Sequence, residues 1–245
     1  MAVEPVYTAV ESAAKALSLF QGLRMTRVGL DNIPAEGGAV LAVNHTGYLD
    51  FVQLALAVGA VDRKLRLMAK AELANNKVMA FLMRGCGVIP VDRTAGAGAY
   101  LAAVERLREG ELVGVYPEAT ISRSFEIKEL KSGAARMALD AGVPIVPVIV
   151  WGAQRIATKG RPKNLGRHRF PVTVEVGRPI EPREPADALT ETLHAEMDAI
   201  LRRVQDGFDH PAGADWVPRR LGGSALTIEE AAEMDRREAE ERRSR

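Results

Sequence analysis

The run Asn44-His45-Thr46-Gly47-Tyr48-Leu49-Asp50 brings an imidazole and a carboxylate close together in the chain. Before it, Ala39 to Val43 is wholly apolar and reads as a buried strand; after it, Phe51 to Val58 has an apolar helical pattern. A histidine and an acid on a strand-to-helix turn can project from a rigid edge. On a regular helix, residues five apart point about 140° away from each other, so the two can meet only if the turn is irregular. Gly47 permits such a turn. His45 then lies on the turn and Asp50 in the first helical turn, where the helix dipole favours a carboxylate. An imidazole held and polarised by a carboxylate is a general base. Taken alone, the same residues also fit a hydrogen-bonded structural histidine and a plain helix-start aspartate.

Four further stretches bear on the choice. Arg93 ends Gly87-Val88-Ile89-Pro90-Val91-Asp92-Arg93, and an arginine just past a strand can offer a fork of donors to a phosphate. Tyr116-Pro117-Glu118-Ala119-Thr120-Ile121-Ser122-Arg123 follows another strand, so it can share a rim with His45. There Glu118 can accept a hydrogen bond from a substrate hydroxyl or orient Arg93. Lys131-Ser132-Gly133 opens a helix, a place suited to an anion. Val143 to Val148 has no polar side chain and reads as core or as the wall of an apolar channel.

Strands alternating with helices must position these residues. Helical spacing predicts an amphipathic helix over about 5–22, packed on the domain or touching lipid. Strands are expected near 25–29, 39–44, 65–69, 87–91, 112–116, 145–150 and 172–176. Helices are expected near 49–59, 76–83, 101–110, 132–141 and 186–204. This alternation implies an α/β fold: a single domain with a largely parallel central sheet flanked by helices. Pro90 suits a sheet edge. The division expected is an N-terminal helix over 1–24, the main domain over 25–208, and an irregular segment with a charged helical tail over 209–245. Thr227 and Glu230 have capping-box spacing. The tail behind them lacks an apolar stripe and reads as a solvated helix.

Composition narrows the function. With 245 residues, 47% hydrophobic, the chain can bury a full core. A net charge of +1 argues against a polybasic nucleic-acid binder. One cysteine, Cys86, allows no internal disulfide and fits a reducing compartment. Residues 1–24 do not read as a signal peptide, and no run reaches the roughly 18 apolar residues that span a bilayer. His168, His194 and His210 have no metal-ligand spacing with His45, so no metal is expected. From Trp151 to Val174 there is no acid, but Arg155, Lys159, Arg161, Lys163, Arg167 and Arg169 are present. This stretch reads equally as a solvated loop or as a surface for anionic lipid or a phosphorylated carrier.

The order of the blocks is distinctive. His-x4-Asp, Gly-x5-Arg, Pro-Glu-x-Thr and Val-Pro-Ile-Val-Pro-Val resemble the four blocks of the glycerolipid acyltransferase family, most nearly its bacterial 1-acylglycerol-3-phosphate acyltransferases, from about Gly29 to Ile180. The resemblance implies that His45 is the general base and Asp50 its orienting acid. It implies that Arg93 holds the glycerol phosphate, that Glu118 and Thr120 line the acceptor pocket, and that Lys131 is a further phosphate contact. The family's third block is usually Glu-Gly-Thr-Arg-Ser; here it is Glu118-Ala119-Thr120-Ile121-Ser122, with Arg123 two residues after the usual arginine position. The implied reaction passes a fatty acyl group from a thioester to the sn-2 hydroxyl of 1-acylglycerol 3-phosphate, giving phosphatidic acid. The donor is acyl-CoA or acyl carrier protein, with no cofactor, and the setting is a peripheral position on the cytoplasmic side of the cell membrane. Two alternatives stand beside it: another acceptor, such as glycerol 3-phosphate, a glycolipid or another lysophospholipid, and a lipid-binding protein without turnover.

Overall fold

The computed structural model describes residues 4–92, 97–183 and 185–243. In chain order the first half holds α1 (Pro5–Gln21), β1 (Arg24–Val28), β2 (Ala39–Val43), α2 (Asp50–Gly59), β3 (Leu65–Lys70), α3 (Lys77–Gly85), β4 (Ile89–Val91) and α4 (Ala97–Arg108). The second half holds β5 (Leu112–Val115), α5 (Gly133–Ala141), β6 (Ile145–Trp151), β7 (Pro171–Val176), α6 (Ala186–Asp206) and α7 (Ile228–Arg243). The strands form one sheet in the order β1-β7-β6-β2-β5-β3-β4. Pro90 lies in β4, on an edge, where its missing N–H costs no ladder bond.

The sheet is mostly parallel because most strands return through a helix. Strands β6, β2, β5, β3 and β4 all run the same way. The exceptions are β7, which runs antiparallel to β6, and β1, which pairs in parallel with β7. No α-helix lies between β6 and β7, so the chain simply turns back. Every residue of β2 and β6 is buried. Ala39, Leu41 and Val43 pack with Leu54, Ala57 and Val58 of α2 on one face. Val40 and Ala42 join a second core with α4, α5 and α6 on the other. That two-sided burial is why β2 and β6 read as unbroken apolar runs rather than alternating ones.

The consequence for chemistry is positional. Parallel β5, β2 and β6 stand side by side, so the segments after Val115, Val43 and Trp151 leave from the same edge. An open α/β sheet commonly binds its ligands in such a crevice beyond the carboxyl ends of the strands.

The N-terminal helix packs on the domain at its start. Tyr7 is buried and its hydroxyl accepts from the N–H of Leu65 at 2.9 Å. Glu4 pairs with Arg66 through two bonds of 2.7 and 2.8 Å, which hold its carboxyl down at about 2. The far end is open: Leu19 is 78% and Phe20 63% exposed. No helix among the described residues is long and apolar enough to cross a membrane.

Candidate active site

Asn44 anchors the turn that carries His45. Its fully buried amide donates to the carbonyl of Val150 at 3.1 Å and accepts from that residue's N–H at 2.7 Å. The side chain thus extends the β2–β6 ladder by one rung, past the point where the backbone leaves it. The N–H of His45 donates to Glu118 Oε1 at 2.8 Å, and its carbonyl accepts from Ser122 N–H at 2.7 Å. The turn is therefore held from both sides, Asn44 by β6 and His45 by the segment that follows β5.

His45 Nδ1 lies 3.3 Å from Asp50 Oδ2. The same oxygen accepts from the N–H of Thr46 at 2.8 Å and of Gly47 at 2.7 Å, while Oδ1 has no protein partner. Asp50 is completely buried; that desolvation raises its carboxyl above the ordinary aspartate value, with the His45 and backbone bonds opposing it. Tyr116 stacks on the imidazole with ring centroids 3.9 Å apart and planes 20° from parallel. The ring is thus fixed in plane by a carboxylate and against one face by an aromatic.

Gly47 serves this turn differently from the expectation. Its backbone is outside the left-handed region. It is needed for space: an added Cβ would sit 2.9 Å from the carbonyl oxygen of Ala157 and 3.1 Å from Asp50 Oδ1. On the neighbouring loop after β5, Ala119 is in the left-handed region at φ 61°, in the block that resembles Glu-Gly-Thr-Arg-Ser. An alanine there costs about 1 kcal/mol of backbone strain.

Glu118 is turned inward. Oε1 takes the His45 N–H and Oε2 the N–H of Lys128 at 3.2 Å, so the carboxylate braces the turn beneath the imidazole. Burial pushes its carboxyl up to about 7 from an ordinary 4.5, against the lowering effect of those two N–H groups. A raised acid pKa in the folded state means that this group's contribution to stability is full below about 4.5 and is lost as pH rises through about 7. Glu118→Gln removes the charge and keeps an acceptor for one N–H. The wild type is therefore expected to lose several degrees of Tm relative to this variant between pH 5 and pH 8, read by parallel melts. A Tm difference constant across that range would refute the buried, proton-holding carboxyl.

Beside this turn lies a cluster of cations. Thr120 Oγ1 accepts from Lys128 Nζ at 2.5 Å; Lys128 pairs with Asp235, and Arg123 and Lys159 each stand against both Asp235 and Glu238. Ile121, at the position of the family's arginine, is buried. Arg123 reaches the cluster from two residues later. Lys131 stands apart, exposed, with Nζ 3.7 Å from Glu129. Arg93 lies outside the described residues.

Of the expected site residues, the structure brings together His45, Asp50, Glu118, Thr120 and Arg123. Sequence reasoning did not single out Asn44 and Tyr116, which hold the turn and its imidazole, or Lys128 and Lys159, which lie in the cluster. Asn44 and Tyr116 sat inside quoted motifs, and Lys159 inside the acid-free stretch, but Lys128 had no local signal. That stretch proves to be heterogeneous. Arg155 is sandwiched between the rings of Phe170 and Trp216, at 4.2 and 4.4 Å, and Arg161 pairs with Asp215 at 3.0 Å. The tail differs too. It docks α7 on the cation cluster through charge, which a search for apolar periodicity does not detect.

Comparison with known proteins places the chain in a family. A family model described as Acyltransferase matches residues 24–151, from β1 to the end of β6. A Bacillus subtilis protein named 1-acyl-sn-glycerol-3-phosphate acyltransferase is 30% identical over 195 residues, covering 78% of this chain and 90% of that protein. The human 1-acyl-sn-glycerol-3-phosphate acyltransferase alpha is 26% identical over 208 residues, covering 82% of this chain and 71% of that protein. The crystal structure of the 1-acyl-sn-glycerophosphate acyltransferase PlsC from Thermotoga maritima superposes with a TM-score of 0.71 at 20% identity, over 83% of this chain and 81% of that one, a likeness of fold. The model's span takes in the strands that hold His45, and the Bacillus protein matches over most of its length; this chain belongs to the acyltransferase family.

Proposed function

We propose that the protein transfers a fatty acyl group from a thioester to the sn-2 hydroxyl of 1-acylglycerol 3-phosphate, giving phosphatidic acid. The observation that carries this reading is the Nδ1–Oδ2 pair at 3.3 Å beside the Arg123–Lys128–Lys159 cluster, in a chain of this family. The names of the relatives support the acceptor.

In this mechanism Asp50 holds Nδ1, leaving Nε2 of His45 to take the acceptor's hydroxyl proton. The oxygen attacks the thioester carbonyl, a C–O bond forms, and the C–S bond breaks as the tetrahedral intermediate collapses. His45 then gives its proton to the departing thiolate, whose ordinary pKa of about 8.5 makes it a good leaving group. No nucleophilic serine or cysteine is required, and no cofactor enters. Arg93, Thr120 and Arg123 hold the acceptor's phosphate. The apolar side of β6 lies near the acyl chain.

The test is thiol release by the purified protein from acyl-CoA and from acyl carrier protein thioesters. Lysophosphatidate, glycerol 3-phosphate and lysophosphatidylcholine serve as acceptors, and the product is mapped. Fastest release with lysophosphatidate and an sn-2 ester product are expected. Release no faster than without acceptor would overturn the reading.

We also assign a peripheral position on the membrane, on its cytoplasmic side. Besides Leu19 and Phe20 of α1, α3 exposes Val78 at 66% and Phe81 at 56%, and the two helices pack together. Each offers exposed apolar side chains to the headgroup–acyl boundary. Leu19→Ser/Phe20→Ser/Phe81→Ser is expected to abolish co-flotation with anionic vesicles at unchanged Tm. Co-flotation equal to that of the wild type would sink this assignment.

A further inference from the structure

The cation cluster is already occupied, and by the chain's own tail. Asp235 Oδ2 accepts from Lys128 Nζ at 3.0 Å and Thr120 Oγ1 at 3.1 Å. Asp235 Oδ1 accepts from Lys159 Nζ at 3.1 Å and lies 3.9 Å from Arg123 Nε. Glu238 pairs with Lys159 at 2.6 Å through Oε2 and with Arg123 through Oε1. Two carboxylates therefore face three cations and one hydroxyl in a pocket whose cationic side chains are 11–19% exposed.

This pocket is wired to the histidine turn by three separate links. Ser122, the neighbour of Arg123, donates its N–H to the carbonyl of His45. Lys128 donates its own N–H to Glu118, which holds the His45 N–H. Thr158, the neighbour of Lys159, donates its hydroxyl to the carbonyl of Thr46 at 2.5 Å. Each cation is thus no more than one residue from a group bonded to the turn or to its brace.

The way α7 is held matters as much as where it sits. Ala231, Asp235 and Glu238 recur at helical spacing on the inward face, and of the α7 side chains described only Ala231 is buried. Apolar burial thus contributes little, and attraction between partly buried charges holds this half of the helix. Such attraction weakens with salt and with competing anions. The N-terminal end is fixed separately. Thr227 and Glu230 form a reciprocal capping box with bonds of 2.9 and 3.1 Å, and Arg219 pairs with Glu230 at 2.8 Å. The helix can therefore release its inner charges while staying tethered at its start.

The charges also match. Burial would raise the Asp235 carboxyl, but Lys128 and Lys159 outweigh it and hold it below its usual range; a bond from Lys159 lowers Glu238 as well. Both are ionised, so together they carry the charge of a phosphate monoester, about −2 at neutral pH. A phosphate offers its terminal oxygens in one compact group, which suits a guanidinium and two ammonium groups converging on one point.

We propose that Arg123, Lys128 and Lys159 form the seat of the acceptor's phosphate monoester, and that Asp235 and Glu238 occupy it as an internal stand-in which the phosphate must displace. The proposal rests on the acyl-transfer reading and deepens it: Lys128 and Lys159 become headgroup-selecting residues, and α7 becomes a competitive cover over the site. A compound that brings no phosphate monoester, such as lysophosphatidylcholine, does not open the cover.

Two measurements test this. In the first, Asp235→Asn/Glu238→Gln is expected to lower the KM for lysophosphatidate about tenfold, because the closed fraction no longer taxes binding. The KM for the thioester should stay unchanged. Lys128→Gln/Lys159→Gln should raise the acceptor KM by a similar factor. An acceptor KM unmoved or raised in the Asp235/Glu238 variant would overturn the proposal. The second measurement needs no variant and no turnover: hydrogen exchange of the α7 amides in the wild-type chain. Lysophosphatidate and inorganic phosphate should both accelerate exchange over residues 232–241, the lipid at lower concentration, and lysophosphatidylcholine should not. Acceleration by inorganic phosphate alone would make the seat a free-phosphate site and overturn the lipid assignment. Exchange that no phosphate changes would overturn the seat itself. Opening of α7 without thiol release would sink the acyl-transfer reading and leave the seat standing; thiol release with neither response would do the reverse.

Discussion

Replacing His45 with alanine is expected to lower turnover by about 10³-fold, the scale of a lost general base, with the fold kept. The anchoring of the turn does not depend on the imidazole. Asn44 still bridges to Val150, Glu118 still holds the backbone N–H of residue 45, and Asp50 still accepts from Thr46 and Gly47. The structural loss is the stack on Tyr116, on the order of 1 kcal/mol. The decisive measurement is single-turnover thiol release at saturating thioester and acceptor, beside a thermal melt. A variant that melts like the wild type and turns over within tenfold of it would remove His45 from the mechanism.

Asp50→Asn is expected to slow the same step by about 10²-fold with little change in either KM. The substitution isolates charge from shape. All three bonds to Asp50 converge on Oδ2, and Oδ1 has no protein partner. An asparagine can therefore put its carbonyl oxygen where Oδ2 was and its amide nitrogen in the unpartnered position. The imidazole keeps an acceptor and its orientation; the imidazolium formed during proton transfer loses its counter-charge. Wild-type turnover should also fall at low pH as Asp50 takes up a proton, from a starting point above the usual aspartate range because the group is buried. In the variant the acid limb should fall less steeply, because only His45 is left to take up a proton. A variant with unchanged kcat would show that Asp50 merely shapes the turn.

The local reading of the chain agreed with the structure where apolar periodicity was strong. Ala39–Val43, Leu112–Val115 and Ile145–Trp151 are strands within a residue or so of expectation, because residues buried on both faces leave no polar position in the run. The largely parallel sheet followed from the alternation of strands and helices. The place of β7, antiparallel to β6 and between it and β1, did not. Strand order is decided by which apolar faces can be covered together, and no window of sequence contains that information.

The candidate site divides along the same line. Asp50 meets His45 because both lie on one turn, a local geometry that residue types and spacing can specify. Glu118 was visible as a residue but not in its role, since its two N–H partners come from different segments. By itself the sequence determined the histidine–acid pair, the α/β layering and the acyltransferase blocks, all of which depend on neighbours along the chain. Only the tertiary structure decided that Asp235 would meet Lys159 and Lys128, 76 and 107 positions away, and that Glu238 would meet Arg123, 115 away. Charges attract through space without regard to chain order, so a cluster drawn from two loops and a helix leaves no periodic trace for a reader of the sequence to find.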